Sequence, residues 1–426
     1  MGQHSKQPMP RSGWRRSAVI GVAGAVAIGG VVAVGVDSSN GDSATQHSVA
    51  GPVAHLRPTD PNADSSAAIK DLIAAVTFNP SGGANQVPPD TAVAVHTTKG
   101  KLTFVGLTTG SGPSLPGSLS ADGQSWQVSQ GLAGSTPYQL AVEVTGSSRV
   151  KATVTETFAT MAVPATMHAT VTPDDGSTVG VGSPIVISFN RTVPTAKQAS
   201  VLSHLGIAES RPVAGGWHWF SDRELHFRPQ AFWPSGEQIT VTTNLDGWDA
   251  GNNNWGSGQS TTQVKVGDSH VAVADLSAKK MTVTANGQTV ATYAISAGSA
   301  RYPTQDGIHI AMDKQPVVHM VSSTVGIPSK GPGGYDEYVY NDVHISDSGE
   351  YVHDAPWSEG SQGRSNVSHG CINLGPNDSK AFYDFSQVGD VIEVVSGTRA
   401  PVAGDHGVMD WTLDWSQWTP GIVVPA

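Results

Sequence analysis

Short runs in which apolar and polar residues alternate recur along most of this chain. Between residues 71 and 163 they include 102–105, 139–144 and 150–158, separated by turn signals such as Asn79-Pro80-Ser81-Gly82. Alternation with a period of two predicts strands that bury one face. The 49 glycines and 27 prolines favour tight turns over long helices. The chain is therefore predicted to be mainly β.

Residues 67–163 and residues 164–267 are similar in length and pattern, and each contains enough short strands for a small β-sandwich. We predict two tandem immunoglobulin-like domains. Neither contains a cysteine, so the Cys-Trp-Cys core of antibody domains is absent. Neither shows a catalytic constellation, and His218 and His226 of the second are interpreted as structural or surface residues rather than as ligands.

Residues 268–397 are predicted to form a third, β-rich domain with one or two short helices. Asn286-Gly287 stands between two alternating runs, which is a strong signal for a β-hairpin. A short helix is expected at about 377–385, because Pro376 suits the first position of a helix.

The C-terminal tail, residues 398–426, is rich in tryptophan. Trp411, Trp415 and Trp418 have spacings of four and three, which would align them on one helical face. We predict that this face packs on the third domain. A short loop capped by the tryptophans is the alternative.

The first 36 residues have the charge pattern of an export segment. Arg11, Arg15 and Arg16 precede the uncharged stretch 18–36, whose length approaches the roughly 20 residues that span a bilayer. Flanking positive charge predicts a cytoplasmic N-terminus and an exported remainder. A membrane anchor is favoured, and a cleaved signal remains open. Residues 37–66 lack apolar periodicity and are predicted to be a disordered linker.

These features predict a protein on the extracytoplasmic, cell-wall side of the membrane, anchored there or secreted if the segment is cleaved. The formal net charge is -11, and no basic stripe is available to neutralise phosphates. A nucleic-acid partner is therefore not expected.

Cys371 is the only cysteine, so no intramolecular disulfide can form, and an unpaired thiol in an exported chain indicates reactivity or intermolecular pairing. His353 lies upstream in a strand-like run, and the loop-like segment 354–367 can bring the two side chains together. Gly370 permits unusual backbone angles next to the thiol. Backbone N–H groups at such a turn can form an oxyanion hole.

Thiol chemistry needs this arrangement, because only the thiolate attacks efficiently and an imidazole can take and return its proton. The Asp354 side chain should point away from that of His353, so its backbone oxygen is the better group to orient the imidazole. A zinc site built from His353, His369 and Cys371 is disfavoured, because no fourth ligand is evident. An inert buried thiol is the remaining alternative.

The motif Ser368-His369-Gly370-Cys371-Ile372-Asn373, preceded by His353, resembles the signature of the L,D-transpeptidases of bacterial cell-wall synthesis. The segments 352–358 and 410–418 are similar to those of actinobacterial, mycobacterial-type members. Such members have an N-terminal anchor, two immunoglobulin-like domains and a catalytic domain. The resemblance covers about residues 70–420 and is strongest from residue 300 onward.

The resemblance implies roles for individual residues. Cys371 would be the nucleophile, His353 the base, and the backbone oxygen of Asp354 its orienting group, with oxyanion N–H groups from Gly370 and Cys371. Tyr335 matches a lid tyrosine. The substrate-binding residues implied are Tyr335, Met320, Ser368, His369, Asn373 and Trp357. Asp354 departs from the serine common in the subgroup. A carboxylate there can raise the pKa of a histidine, and the sequence leaves its effect on the His353–Cys371 pair open.

The implied reaction begins with a donor tetrapeptide stem of peptidoglycan, whose D-Ala leaves as a thioester forms. The side-chain amine of an acceptor diaminopimelate then resolves the thioester as a 3→3 cross-link. Carbapenem β-lactams would acylate the same thiol, and no metal or organic cofactor is implied. The alternatives are L,D-carboxypeptidase activity or protein attachment by the same chemistry, and a non-catalytic wall-binding scaffold.

Overall fold

The computed structural model describes residues 61–110, 112–419 and 423–424. The predicted anchor at 18–36 and most of the predicted linker lie outside the described residues. Within them, no helix has both the length and the apolar character needed to cross a membrane. The described chain is mainly strand, which confirms the predicted fold class.

The first domain packs two sheets around one hydrophobic core. Its sheets have the strand orders β1-β2-β5-β4 and β3-β6-β7. Along β6, Tyr138, Leu140, Val142 and Val144 are buried at every second position, as the alternation predicts. The elements are α1 (Pro61–Ala74), β1 (Val76–Asn79), β2 (Ala94–Thr97), β3 (Lys101–Thr108), β4 (Gly117–Leu119), β5 (Ser125–Val128), β6 (Pro137–Thr145) and β7 (Lys151–Ala159).

Helix α1 corrects the prediction that the linker extends to residue 66, because the helix begins at Pro61. Ile69, Leu72 and Ile73 have helical spacing and pack on the core of the first domain. This apolar face is only one turn long and is surrounded by polar residues, so the helix was not recognisable from the periodicity of the sequence.

The second domain contains the sheets β10-β18-β15-β12, β28-β13-β14-β11-β9 and β16-β17-β8. Its elements are β8 (Ala165–Met167), β9 (Ala169–Thr172), β10 (Thr178–Val179), β11 (Ile185–Phe189), α2 (Thr195–Val201), β12 (Leu205–Glu209), β13 (Gly215–Ser221), β14 (Glu224–Pro229), β15 (Gln238–Asn244), β16 (Asp249–Gly251), β17 (Asn254–Gly256) and β18 (Gln259–Val266). A 3-10 turn at Leu202–His204 follows α2.

The third domain packs the sheets β21-β20-β19-β27-β22 and β23-β24-β25-β26 against each other and against α3. The hairpin at Asn286-Gly287 and the predicted helix are confirmed. The elements are β19 (His270–Asp275), β20 (Lys280–Ala285), β21 (Gln288–Ala294), β22 (Gly307–Ile310), β23 (Asp313–Val321), β24 (Asp336–Ser346), β25 (Glu350–Asp354), β26 (Ile372–Leu374), α3 (Pro376–Phe385) and β27 (Val391–Val395), with 3-10 turns at Ser322–Val325 and Pro356–Ser358.

The second and third domains share apolar contacts. Ile310 and Val391 of the third domain belong to the same buried cluster as Ile187 and Phe227 of the second. This continuity joins the two domains through a packed core rather than through a polar, solvated interface.

The tail does not form the predicted single helix. It forms α4 (Met409–Thr412), α5 (Trp415–Trp418) and β28 (Val423–Val424), because Asp414 caps a new helix with its side chain.

The prediction that the tail packs on the third domain holds for part of the tail, because α4 contacts β22. The three tryptophans also meet the second domain. The Arg228 guanidinium lies 4.7 Å, 5.3 Å and 4.6 Å from the ring centroids of Trp411, Trp415 and Trp418. Trp418 Nε1 donates to Gly216 O at 2.9 Å. The buried cation on β14 explains why three indoles converge there rather than on the third domain.

Candidate active site

Strands β25 and β26 set the positions of the histidine and the cysteine. They pair in parallel, with Val352 opposite Ile372 and His353 opposite Asn373. Val352 and Ile372 are both fully buried in the core, so His353 and Asn373 face the other side of the sheet. Cys371 comes two residues before Asn373, so its side chain belongs to the same face as that of His353.

His353 is 4% exposed, and its ring is held by one hydrogen bond. Nδ1 donates to Asp354 O at 2.8 Å. A carbonyl oxygen can only accept, so Nδ1 carries the proton and the Nε2 lone pair is left to act as the base. The orienting group is therefore a backbone oxygen, which does not depend on the Asp354 side chain.

The pKa of His353 is set mainly by burial rather than by the Asp354 carboxylate. Burial lowers the pKa of His353 to about 4, and the hydrogen bond to Asp354 O offsets only part of this shift. Burial also raises the pKa of the Asp354 carboxyl, and the charge of Glu359 adds to that rise. Desolvation dominates because neither group is well solvated, and His353 is neutral near pH 7.

The Cys371 thiol is half-buried, and its Sγ lies 3.7 Å from Gly349 O. Burial raises the pKa of the thiol to about 12, and the charges of Glu350 and Asp342 contribute to the rise. Near pH 7 the Cys371 thiol and the His353 imidazole are therefore both neutral. A neutral thiol attacks efficiently only if a base takes its proton.

Gly370 forms a turn that brings the backbone close to the nucleophile. Its φ of 132° lies in the region that favours glycine, as expected, and a Cβ there would approach Glu350 Oε1 to 3.3 Å. Thr304 Oγ1 donates to Gly370 O at 2.6 Å. The Gly370 N–H donates to Ser368 Oγ at 3.1 Å, so its predicted oxyanion role requires that this bond be shared or released.

Aromatic rings cover the site. The ring centroid of His369 lies 5.2 Å from that of Tyr335 and 4.7 Å from that of Tyr302. Burial raises the pKa of Tyr335 to about 12, and the charge of Cys371 adds to this rise. Ser322 donates its N–H to Tyr335 O at 3.0 Å and closes the loop that carries Tyr335.

Two domain families match this chain. The model of the L,D-transpeptidase catalytic domain, YkuD, matches residues 269–394, and that of the bacterial Ig domain, Big_10, matches residues 84–249. L,D-transpeptidase 2 of Mycobacterium tuberculosis is 35% identical over 350 residues, covering 82% of this chain and 85% of that protein. The chain belongs to the L,D-transpeptidase family.

Other L,D-transpeptidases are similar over part or most of the chain. L,D-transpeptidase 5 of M. tuberculosis is 28% identical, covering 82% of this chain and 77% of that protein. L,D-transpeptidase 1 of the same species is 36% identical, covering 53% of this chain and 84% of that protein. The solved structure of an LD transpeptidase in complex with imipenem is 35% identical, covers 53% of this chain and 98% of its own, and has a TM-score of 0.48.

The remaining residues that the L,D-transpeptidase resemblance implied lie at different distances from the thiol. Trp357 is exposed at the rim, with its ring centroid 6.1 Å from that of His353. Asn373 is buried and donates to Ser358 Oγ at 3.1 Å. Ser368 Oγ donates to Cys371 O at 2.6 Å, which makes it a brace of the turn. Met320 lies on β23, which β24 separates from β25.

Sequence reasoning missed the charged groups beneath the L,D-transpeptidase site. Arg399 Nη1 donates to Glu350 Oε1 at 2.9 Å, and Gln305 N donates to the same oxygen at 3.1 Å. Burial raises the pKa of Glu350 to about 7. Glu350 begins the strand that carries His353, but its partners Gln305 and Arg399 are too distant in the chain to be deduced from the sequence.

Asp342 is a second buried acid that the sequence did not reveal. It precedes Val343, the register partner of Val352, so continuing the register places it opposite His353. Its side chain is fully buried, and neither carboxylate oxygen has a hydrogen-bond partner among the described residues. Burial raises the pKa of Asp342 to about 7.

Proposed function

We propose that this protein forms 3→3 cross-links between diaminopimelate residues of peptidoglycan stems through a Cys371 thioester. The observation that carries the proposal is the tautomer of His353. Its Nδ1 is held by Asp354 O, and its Nε2 is available on the sheet face to which Cys371 belongs. Membership of the L,D-transpeptidase family supports the same conclusion.

In the first half-reaction, Sγ of Cys371 attacks the carbonyl of the third stem residue while His353 Nε2 takes the thiol proton. Coupled transfer is required because burial disfavours both the free thiolate and the imidazolium. The tetrahedral oxyanion is stabilised by N–H groups at the Gly370–Cys371 turn. The imidazolium then returns the proton to the departing amine, so D-Ala leaves and the thioester remains.

In the second half-reaction, the side-chain amine of an acceptor diaminopimelate attacks the thioester carbonyl. His353 Nε2 takes a proton from the attacking amine and returns it to the departing sulfur, which restores the resting pair. Tyr335, His369 and Tyr302 form an aromatic cover beside the thiol. Exclusion of water by this cover favours attack by the amine over hydrolysis.

We also propose that carbapenem β-lactams acylate Cys371, because the same attack opens their strained amide. A relative has been solved in complex with imipenem. Residues 18–36 are proposed to anchor the enzyme so that the described domains lie on the cell-wall side, or to act as a signal if they are cleaved. Their composition and the preceding arginines support this.

The test is to incubate the protein with a disaccharide-tetrapeptide and to follow products by mass spectrometry. Cross-linking predicts a dimer that has lost one D-Ala. Tripeptide alone favours the carboxypeptidase alternative, and a folded protein without turnover favours the wall-binding scaffold. His353→Gln should abolish the dimer, whereas the matched control His319→Gln, on an exposed histidine, should not.

A further inference from the structure

Two histidines and a glutamate converge away from the active site, between the second and third domains. The possible ligand atoms of Glu224, His226 and His406 all lie within 4.8 Å of one another. Glu224 Oε1 lies 2.8 Å from His226 Nε2 and 3.0 Å from His406 Nε2. Glu224 and His226 are two residues apart on β14, so they share a face, and His406 comes from the tail.

In both imidazoles the ring nitrogen that faces away from Glu224 is hydrogen-bonded to a carboxylate, as is usual for metal-binding histidines. His226 Nδ1 donates to Asp410 Oδ1 at 2.7 Å, and His406 Nδ1 donates to Asp347 Oδ2. Each Nδ1 therefore carries a proton, and each Nε2 points towards Glu224. A carboxylate on the far ring nitrogen fixes the tautomer and raises the ligand strength of the near one.

The orientation of the two rings is further restricted by Phe220. Its ring stacks on His226 with a centroid separation of 4.7 Å and on His406 with one of 4.4 Å. His226 is almost fully buried. The convergence of the two Nε2 atoms is therefore built into the packing and is not a chance pairing of mobile surface side chains.

We propose that Glu224, His226 and His406 bind one zinc ion that fastens the second domain to the catalytic domain. Two imidazoles and one carboxylate are a common zinc ligand set with an open fourth position. Neighbouring ligand atoms in a tetrahedral zinc site are about 3.3 Å apart. The two contacts of Glu224 Oε1, at 2.8 Å and 3.0 Å, need to widen by only a few tenths of an ångström, and the two Nε2 atoms lie within 4.8 Å of each other. Zinc replaces the Nε2 protons and releases them to solvent.

The surroundings provide both room and charge for the ion. A cavity of about 530 Å³ between the two domains is lined by the three ligands and by Asp410, and it gives water access to the fourth position. The carboxylates of Glu224, Asp347 and Asp410 supply the negative charge that a divalent cation needs. The other two ligands lie on β14 of the second domain, whereas His406 belongs to the tail and is paired with Asp347 of the catalytic domain. The ion therefore links the second domain to the tail and, through Asp347, to the catalytic domain.

The test uses the whole protein, freed of metal with a chelator and titrated with zinc chloride. We expect one zinc per chain, with proton release measured in buffers of different ionisation enthalpy. His406→Gln should weaken binding at least 100-fold, and Asp347→Asn, which removes only a second-sphere carboxylate, should weaken it about 10- to 100-fold. His319→Gln, on a surface histidine paired with Asp336, is the matched control and should bind as wild type.

The variant Cys371→Ala distinguishes zinc at the proposed site from zinc bound by the active-site thiol, because it removes the thiol and leaves the proposed site unchanged. Retention of one zinc in Cys371→Ala and its loss in folded His406→Gln support the proposal. If His406→Gln does not fold, Asp347→Asn provides the same comparison. The proposal is overturned if zinc is lost from Cys371→Ala and kept in the other variants, or if metal-free wild type binds no zinc at micromolar concentrations.

Discussion

The single cysteine makes the neutral state of the resting pair directly measurable. Burial raises the pKa of Cys371 to about 12, whereas a free thiol has a pKa of about 8.5. At pH 8 the thiolate fraction is therefore about 10⁻⁴ in the folded protein and about one quarter in the unfolded chain, a difference of roughly 2,000-fold. The thiolate of a less acidic thiol is more nucleophilic, and this offsets the lower thiolate fraction by a factor of about 25 to 60.

The expected outcome is alkylation of Cys371 by iodoacetamide about 40- to 100-fold slower in the folded protein than in urea at pH 8. The rate is measured by intact mass, and the unfolded chain is the matched control. In His353→Gln, where no imidazole assists, the rate should rise tenfold per pH unit up to pH 10. If the alkylation rate of the wild-type protein stops rising with pH below pH 7, or if the folded protein reacts faster than the unfolded chain at pH 6, the resting state is a thiolate–imidazolium pair. Either result would contradict a neutral resting pair.

Three further variants test individual contacts. Asp354→Ser should keep cross-linking activity within about threefold, because the backbone oxygen still orients His353; a loss above tenfold would assign a role to the carboxylate. Between pH 5 and pH 8, Asp342→Asn should gain about 3 kcal/mol of stability relative to wild type, measured by urea unfolding at the two pH values. The sign follows because a raised folded pKa, here about 7, gives stability that is lost as pH rises; an equal difference at both pH values would contradict it. Arg228→Gln should destabilise the tail by about 2 kcal/mol, seen as faster proteolysis of the tail, because three ring contacts disappear.

The local features of the fold were predictable from the sequence. Strand alternation, the Asn286-Gly287 turn and the proline at the start of α3 each act over a few residues, and the structure contains all three elements. The sequence indicates a loop between His353 and Cys371, and in the structure the two strands that this loop connects, β25 and β26, pair with each other. Cys371 and His353, the proposed nucleophile and base, were therefore accessible to sequence reasoning.

Long-range packing was not predictable in the same way. Arg228 and the tail tryptophans that it contacts are about 180 residues apart in the sequence, and Glu224 and His406 have a similar separation. The lowered pKa of His353 was not predictable either, because a neighbouring carboxylate is visible in the sequence and burial is not. Full burial of Asp342 likewise depends on the covering elements, which alternation alone does not define.

The most direct test of the account is the detection of the acyl-enzyme on Cys371. A donor tetrapeptide whose diaminopimelate side-chain amine is acetylated can donate but cannot accept, so the thioester should accumulate. The account predicts an intact-mass increase equal to the tripeptide acyl group, one D-Ala released per adduct, and loss of the adduct when an acceptor stem is added. Release of D-Ala without a protein adduct, or an adduct that persists in Cys371→Ala, would contradict the account.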